Sequence, residues 1–242
     1  MAARETATFP VVMGRGVDPT SAETVLLLHG MLSSSRSMRR LEHYLAANGF
    51  RVINWGYPSL AGSILRHADR LGLLVERLRS DQSVGRLHAV THSMGGIILR
   101  ATLQKTGLHD IGRIVMLAPP NAGSRLAALP LGPLTRWLPQ IVELSQAADS
   151  LVNRLPEPVG LEVGVIAAAR DFVVDVEATH LRCQRDHRVL PGSHQQLPRL
   201  PDTARHCLAF LLRGRFLGSP PRKHEIPVTL PDPVISIGRL AA

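Results

Sequence analysis

Residues 87–100 read LHAVTHSMGGIILR, and this stretch decides the fold. Its first five residues form an apolar run typical of a β-strand, and the pattern after Gly95 and Gly96 is typical of a helix. Ser93 stands between the two, at a sharp turn. A serine hydroxyl that projects from such a turn needs small neighbours, because its backbone is held in a strained conformation, usually with positive φ. The stretch therefore predicts a nucleophilic serine between a buried strand and a helix.

The neighbours of Ser93 match a G-x-S-x-G turn at four of five positions, since Thr91 stands where the first glycine is expected. The free backbone N–H groups of a first helical turn, beginning with that of Met94, point toward developing negative charge. We therefore expect Met94 to donate one hydrogen bond to an oxyanion.

A second buried strand is predicted over residues 24–28, TVLLL, and it ends in His29, Gly30 and Met31. A glycine just past a central strand lets the backbone turn sharply, which brings the next N–H to the carboxyl edge of the sheet. Met31 N–H is therefore the candidate for the second oxyanion donor. The rings of His29 and His92 are expected to support these turns.

The composition suits one α/β domain, which we place over residues 1–217, and the continuous apolar runs of its strands predict a mostly parallel central sheet with helices on both faces. The chain has 242 residues, of which 45% are hydrophobic. Further strands are predicted near residues 50–55, 111–117, 161–167 and 187–190, and an amphipathic helix over 61–80. Ser37 and Asp202 are predicted to cap two more helices. The Pro-rich residues 218–242 are interpreted as a C-terminal tail.

Charge and cysteine content argue against nucleic-acid binding and against a zinc site. The formal net charge is +9, and Lys105 and Lys223 are the only lysines, so the positive charge is nearly all arginine. No basic stretch is interleaved with aromatic residues, and nucleic-acid binding is therefore not expected. Cys183 and Cys207 lack the spacing of a zinc site, and two free thiols are expected in preference to one disulfide between them. With no signal peptide and no apolar span, we expect a soluble, cytoplasmic protein.

Residues 120–158 combine many leucines with prolines and glycines, most densely between 126 and 155. The segment is too apolar for a solvated loop and too interrupted for one long helix. Two interpretations stay open: a lid of short helices that offers an apolar acyl pocket, or a plain crossover helix packed on the sheet.

A serine nucleophile needs a base within hydrogen-bond reach and a carboxylate that orients the base. Asp171 and His194 each follow a predicted strand, so both should lie at the carboxyl edge of the sheet. Asp175 and Glu177 are alternative acids, because they would share the side of Asp171 if the stretch were extended. The alternative bases, His187 at a strand start and His206 inside a helix, are less suitably placed.

The chain resembles serine hydrolases of the α/β-hydrolase fold, especially bacterial esterases and lipases. The resemblance rests on LLLHGM (26–31), THSMGG (91–96), LAPPNAGS (117–124), DFVVDVEAT (171–179) and LPGSH (190–194), in the order Ser, Asp, His. It implies Ser93 as nucleophile, Asp171 as orienting acid and His194 as base. It also implies Met31 and Met94 as the two oxyanion donors.

These observations predict a carboxylic ester hydrolase that needs no cofactor and no metal and acts on a small-molecule acyl ester. The same residues also suit an acyltransferase, a thioesterase or an amidase, because all share an acyl-enzyme step. A catalytically silent relative that binds a lipid or a partner protein is the alternative from another class. A third hypothesis is transient association of the arginines with an anionic lipid surface.

Overall fold

A computed structural model describes residues 11–12, 23–81, 83–107, 111–125 and 138–220. The strands are β1 (Val11–Val12), β2 (Thr24–Leu28), β3 (Arg51–Trp55), β4 (Leu87–His92), β5 (Arg113–Leu117), β6 (Glu162–Ala168) and β7 (Asp186–Leu190). The α-helices are α1 (Arg39–Ala47), α2 (Ile64–Ser80), α3 (Met94–Thr106), α4 (Pro139–Glu143), α5 (Leu151–Arg154) and α6 (Pro201–Arg213). Short 3₁₀ turns lie at Ser35–Met38, Glu177–Thr179 and Leu197–Arg199.

The sheet has seven strands in the order β1-β3-β2-β4-β5-β6-β7, and β2 to β7 run parallel. Only β1, a two-residue edge strand, is antiparallel to its neighbour β3. The register pairs Leu28 with Thr91 and His92 with Leu117, so β2, β4 and β5 end at the same edge. This confirms the predicted mostly parallel sheet.

Helices cover both faces of the sheet, as predicted. On one face α2 and α3 pack with side chains of β2 and β4, and Leu26 and Leu28 point into this core. On the other face α1 and α6 pack against Val25 and Leu27. Because successive strand residues face opposite sides, a strand covered on both faces must be apolar throughout. All five residues of TVLLL are buried accordingly.

Two predicted helix caps are wrong. Ser37 lies inside the 3₁₀ turn that precedes α1, and its hydroxyl donates to the Ser34 carbonyl. Asp202 lies in the first turn of α6, whose N-cap is Leu200. Pro201 begins that helix, because its fixed φ suits the first turn and it has no N–H to leave unpaired.

The segment predicted as a lid or a crossover helix is described in part. Residues 126–137 lie outside the described residues, and the two short helices α4 and α5 follow them. A helical lid over the site stays a prediction. Residues 221–242 of the predicted tail also lie outside the described residues. None of the described helices is both long and apolar enough to cross a membrane.

Candidate active site

Ser93 lies at the turn between β4 and α3 with φ 52° and ψ −125°, a backbone conformation that residues other than glycine rarely adopt. Its N–H donates to the Leu117 carbonyl over 2.8 Å, which ties the turn to β5. A Cβ on Gly95 would lie 2.7 Å from the His29 carbonyl oxygen, so the helix can approach the end of β2 this closely only with glycine there. The turn is therefore fixed by its neighbours on both sides.

His194 and Asp171 lie in line with the serine. His194 Nε2 is 2.9 Å from Ser93 Oγ, and His194 Nδ1 is 2.7 Å from Asp171 Oδ2. An ionised Asp171 accepts from Nδ1–H, which leaves Nε2 free to accept the serine hydroxyl proton. The side chain of Asp171 is 1% exposed and that of His194 is 6% exposed, so water hardly competes for these bonds.

The Asp171 carboxylate is held in its charged form. Burial alone would raise its pKa, but the hydrogen bond and charge of His194, together with hydrogen bonds from the Val174 and Val173 N–H groups, hold the pKa below its usual range. Two backbone N–H groups, those of Val173 and Val174, add hydrogen bonds to Oδ1 of 2.8 Å and 2.9 Å. An ionised carboxylate at this position favours the histidine tautomer that can take a proton from serine.

The alternative acids and bases lie elsewhere. Asp175 binds the Arg125 guanidinium, and Glu177 is exposed at the start of a 3₁₀ turn. His187 stacks on His180 with ring centroids 3.9 Å apart, and His206 lies edge-on to Phe216. Of the candidates weighed from the sequence, the structure brings together Ser93, Asp171 and His194.

His92 has a contact that the sequence did not predict. Its Nε2–H donates to the His194 carbonyl oxygen over 3.0 Å, across 102 positions of sequence. Burial lowers the pKa of His92 to about 3, so the ring is neutral at ordinary pH. The imidazole therefore supports the backbone of His194 as well as the turn in which it lies.

His29 orders the loop that carries Met31. Its Nδ1–H donates to the Gly30 carbonyl, and its Nε2 accepts from Tyr57 N–H. Tyr57 stacks on the His29 ring at 4.2 Å, and the tyrosine hydroxyl donates to the His29 carbonyl. A Cβ on Gly30 would lie 3.0 Å from Ser93 Cβ, so glycine lets this loop approach the serine closely.

The predicted oxyanion donors flank Ser93. Met94 follows it directly, and Met31 lines the same cleft. Among the residues that the structure describes, neither Met31 N–H nor Met94 N–H has a hydrogen-bond acceptor. Two free backbone donors near a nucleophile can bind a substrate oxygen that gains negative charge.

The cleft over Ser93 has a volume of about 20 Å³. The described residues that line it are Ser93 and Ser124 together with the apolar Met31, Pro120, Ile141, Leu144 and Val173. Within the described ranges, no group of three or more His, Cys, Asp or Glu side chains is placed to hold a metal ion.

Similar architectures occur among solved structures. A mature lipase from Bacillus licheniformis matches with a TM-score of 0.66 and 15% identity, over 85% of this chain and 97% of that one. Lipase B from Aspergillus fumigatus matches with a TM-score of 0.69 and 11% identity, over 85% of this chain and 57% of that one. This chain has the α/β-hydrolase fold.

A further match is a putative aryl esterase from Burkholderia cenocepacia, with a TM-score of 0.56 and 14% identity over 85% of this chain and 98% of that one. By sequence, residues 12–131 match a family model described as a domain of unknown function, DUF7379. A search of the curated proteins found no match. At these identities the likeness concerns the fold, and any function must be argued from the site.

Proposed function

We propose that the chain is a serine hydrolase that cleaves carboxylic esters through an acyl-enzyme. The observation that carries the proposal is the line of hydrogen bonds from Asp171 through His194 to Ser93, of 2.7 Å and 2.9 Å. Serine is a weak nucleophile at neutral pH, and a base oriented by a carboxylate activates it.

The reaction follows from this geometry. His194 Nε2 takes the Ser93 proton as the oxygen attacks the ester carbonyl carbon. Negative charge moves to the carbonyl oxygen, which Met31 N–H and Met94 N–H stabilise. The protonated His194 then gives its proton to the leaving alcohol, and the C–O bond to that alcohol breaks. Water, activated by the same histidine, releases the acid and restores the serine.

An ester fits the cleft better than a sugar or a charged peptide, because the walls around Ser93 are largely apolar. The fold neighbours include proteins described as lipases and an esterase, which agrees with this substrate class. Thioesters and transfer to another alcohol would use the same acyl-enzyme, and they are distinguished by substrate and acceptor rather than by the triad.

The test is hydrolysis of p-nitrophenyl acetate by the purified chain, by Ser93→Ala and by Ser80→Ala. Ser80 ends α2, lines a pocket with Leu87 at the opposite end of β4 from Ser93, and controls for the loss of a hydroxyl. We expect turnover by the wild type and by Ser80→Ala, and a loss on the order of 10⁶-fold in Ser93→Ala. Equal activity of Ser93→Ala and wild type would contradict the proposal.

A further inference from the structure

The cleft above Ser93 is closed on one side by a short wall. Ile141 in α4 and Leu144 just after it line the cleft, and both are buried, with exposed fractions of 7% and 4%. Met31, Pro120 and Val173 form the remaining apolar walls. An acyl chain that leaves the carbonyl carbon on this side would meet Ile141 and Leu144.

Polar bonds hold this wall on the side of α2. The buried amide of Gln140 donates to the Gly62 carbonyl and, over 3.4 Å, to the Ser59 carbonyl. The Glu143 carboxylate accepts from Ile64 N–H, at the first residue of α2, over 2.8 Å. Side chains on both sides of Ile141 are therefore attached to the same neighbouring segment.

Backbone bonds hold the wall on its other side. Ser124 N–H donates to the Leu144 carbonyl over 2.8 Å, and Ser124 Oγ donates to the Val173 carbonyl over 2.9 Å. A Cβ on Gly123 would lie 2.7 Å from Gln146 Cα, so the backbones are in close contact here. Moving Leu144 or Val173 outward would break hydrogen bonds as well as apolar contacts.

The volume decides which acyl groups fit. The cleft offers about 20 Å³, whereas a cavity needs about 10–15 Å³ to hold one water molecule. A methyl group fills most of such a space, and a longer acyl chain directed toward Ile141 and Leu144 would meet buried wall side chains. We propose that Ile141 and Leu144 restrict the chain to esters of short acyl groups, of about two to four carbons. This inference rests on the proposed function.

The experiment compares kcat/KM for p-nitrophenyl acetate, butyrate and octanoate, below the concentration at which octanoate forms micelles. We expect the wild type to prefer acetate to octanoate by about 100-fold or more, since one methylene in an apolar pocket changes specificity by about 10–200-fold. Ile141→Ala should reduce this acetate-to-octanoate ratio by about tenfold. The ratio for Ile141→Val should lie between those of the wild type and Ile141→Ala. Val142→Ala, on the same helix with 55% exposure, should keep the wild-type ratio.

The outcomes separate this inference from the proposed function. Octanoate hydrolysed as fast as acetate by the wild type would overturn the short-chain assignment while leaving the hydrolase proposal intact. An unchanged acetate-to-octanoate ratio in both Ile141 variants, with circular dichroism showing that Ile141→Val is folded, would overturn the role of Ile141. No turnover of any ester, and no labelling of Ser93 by a small phosphonate, would overturn the proposed function itself.

Discussion

Ser93 holds a backbone conformation that a serine avoids in most proteins. A positive φ on a residue other than glycine costs about 1–3 kcal/mol. The hydrogen bond to Leu117 and the close packing of Gly95 against β2 offset that cost. The strain also places the hydroxyl beside His194, so the same backbone geometry serves the fold and the proposed chemistry.

Asp171 is expected to act by orienting His194. In Asp171→Asn the amide cannot supply a negative charge and can favour the wrong tautomer of the histidine, so kcat on p-nitrophenyl acetate should fall by about 10⁴-fold. Asp175→Asn is the matched control, because Asp175 lies in the same loop and binds Arg125 instead. Equal losses in the two variants would show that the loop as a whole, rather than the Asp171 carboxylate, matters.

His92 is expected to position His194, the proposed base, through its bond to the His194 carbonyl. His92→Leu removes the donor and should lower kcat by about tenfold to 100-fold with little change in KM, because small misplacements of reacting groups are costly. His92→Gln retains an N–H donor and should recover part of the loss. Steady-state kinetics on the folded variants test this prediction. Identical kcat values for His92→Leu and His92→Gln would contradict it.

The sequence placed Asp171 first as the acid but left Asp175 and Glu177 open as alternatives, and the reason is local. The argument for Asp175 and Glu177 assumed an extended stretch, whereas residues 171–179 form bends and end in a 3₁₀ turn. The Asp171 carboxylate accepts from the N–H groups of Val173 and Val174, which helps to turn the chain away from a strand. Hydrogen bonds of this kind, from backbone N–H groups to a nearby side chain, are hard to predict from hydrophobic periodicity.

Among the elements, the buried parallel strands were the most predictable. Their continuous apolar runs distinguish them from amphipathic helices, and β2 matches its predicted bounds, residues 24–28. Helix starts were less predictable, since several residues can satisfy the same free N–H groups. Helix α6 begins at Pro201, and Asp202 does not cap it but pairs with Arg205.

The first turn of α3 sets how closely that helix approaches β2. Gly95→Ala would place a Cβ 2.7 Å from one carbonyl oxygen and 2.9 Å from another. Because backbone atoms must then shift, the free energy of unfolding in urea should fall by about 1–3 kcal/mol, and esterase activity should fall with it.

Gly72→Ala in α2 is the matched control for that change. There the nearest atom to a new Cβ is a Thr106 methyl carbon at 3.3 Å, the end of a side chain that can adjust. Alanine favours helix over glycine by about 1 kcal/mol. Stability should therefore be unchanged or slightly higher, and a loss equal to that of Gly95→Ala would contradict the steric argument.

At the scale of the whole molecule, several buried or half-buried histidines are held in neutral form. Burial lowers the pKa of His92 to about 3 and that of His187 to about 4, and it lowers the pKa values of His29, His67 and His206 as well. An unfolded chain binds protons at these histidines near pH 6.5, and the folded chain does not. The stability that these neutral histidines contribute should therefore be fully present above pH 6.5, and it should be lost as the pH falls toward 4.

Urea unfolding at pH 7.5 and pH 5 measures this decline. His92 alone should contribute a loss of about 2 kcal/mol over that interval, because the unfolded state gains a proton that the folded state excludes. His92→Gln should show a shallower dependence of unfolding free energy on pH than the wild type. The same dependence in both proteins would mean that His92 is not a source of acid sensitivity.

The order of strands and the pairing of distant segments were beyond the sequence patterns. Periodicity predicts that a helix has an apolar face, but it does not say which sheet face the helix covers. The contact of His92 with His194 depends on β4 and β7 reaching the same edge, which only the assembled sheet defines. Motif order supplied what periodicity lacked, because it linked Ser93, Asp171 and His194 along the chain.

The most direct test of the proposed triad is labelling of the folded chain with a small fluorophosphonate, followed by mass spectrometry of its peptides. An activated serine should react once per chain, at Ser93, and Ser93→Ala should remain unlabelled. Asp171→Asn should react much more slowly than Asp175→Asn. Failure of the folded wild type to react, or reaction at a residue other than Ser93, would contradict the assignment of Ser93, His194 and Asp171 as a catalytic triad.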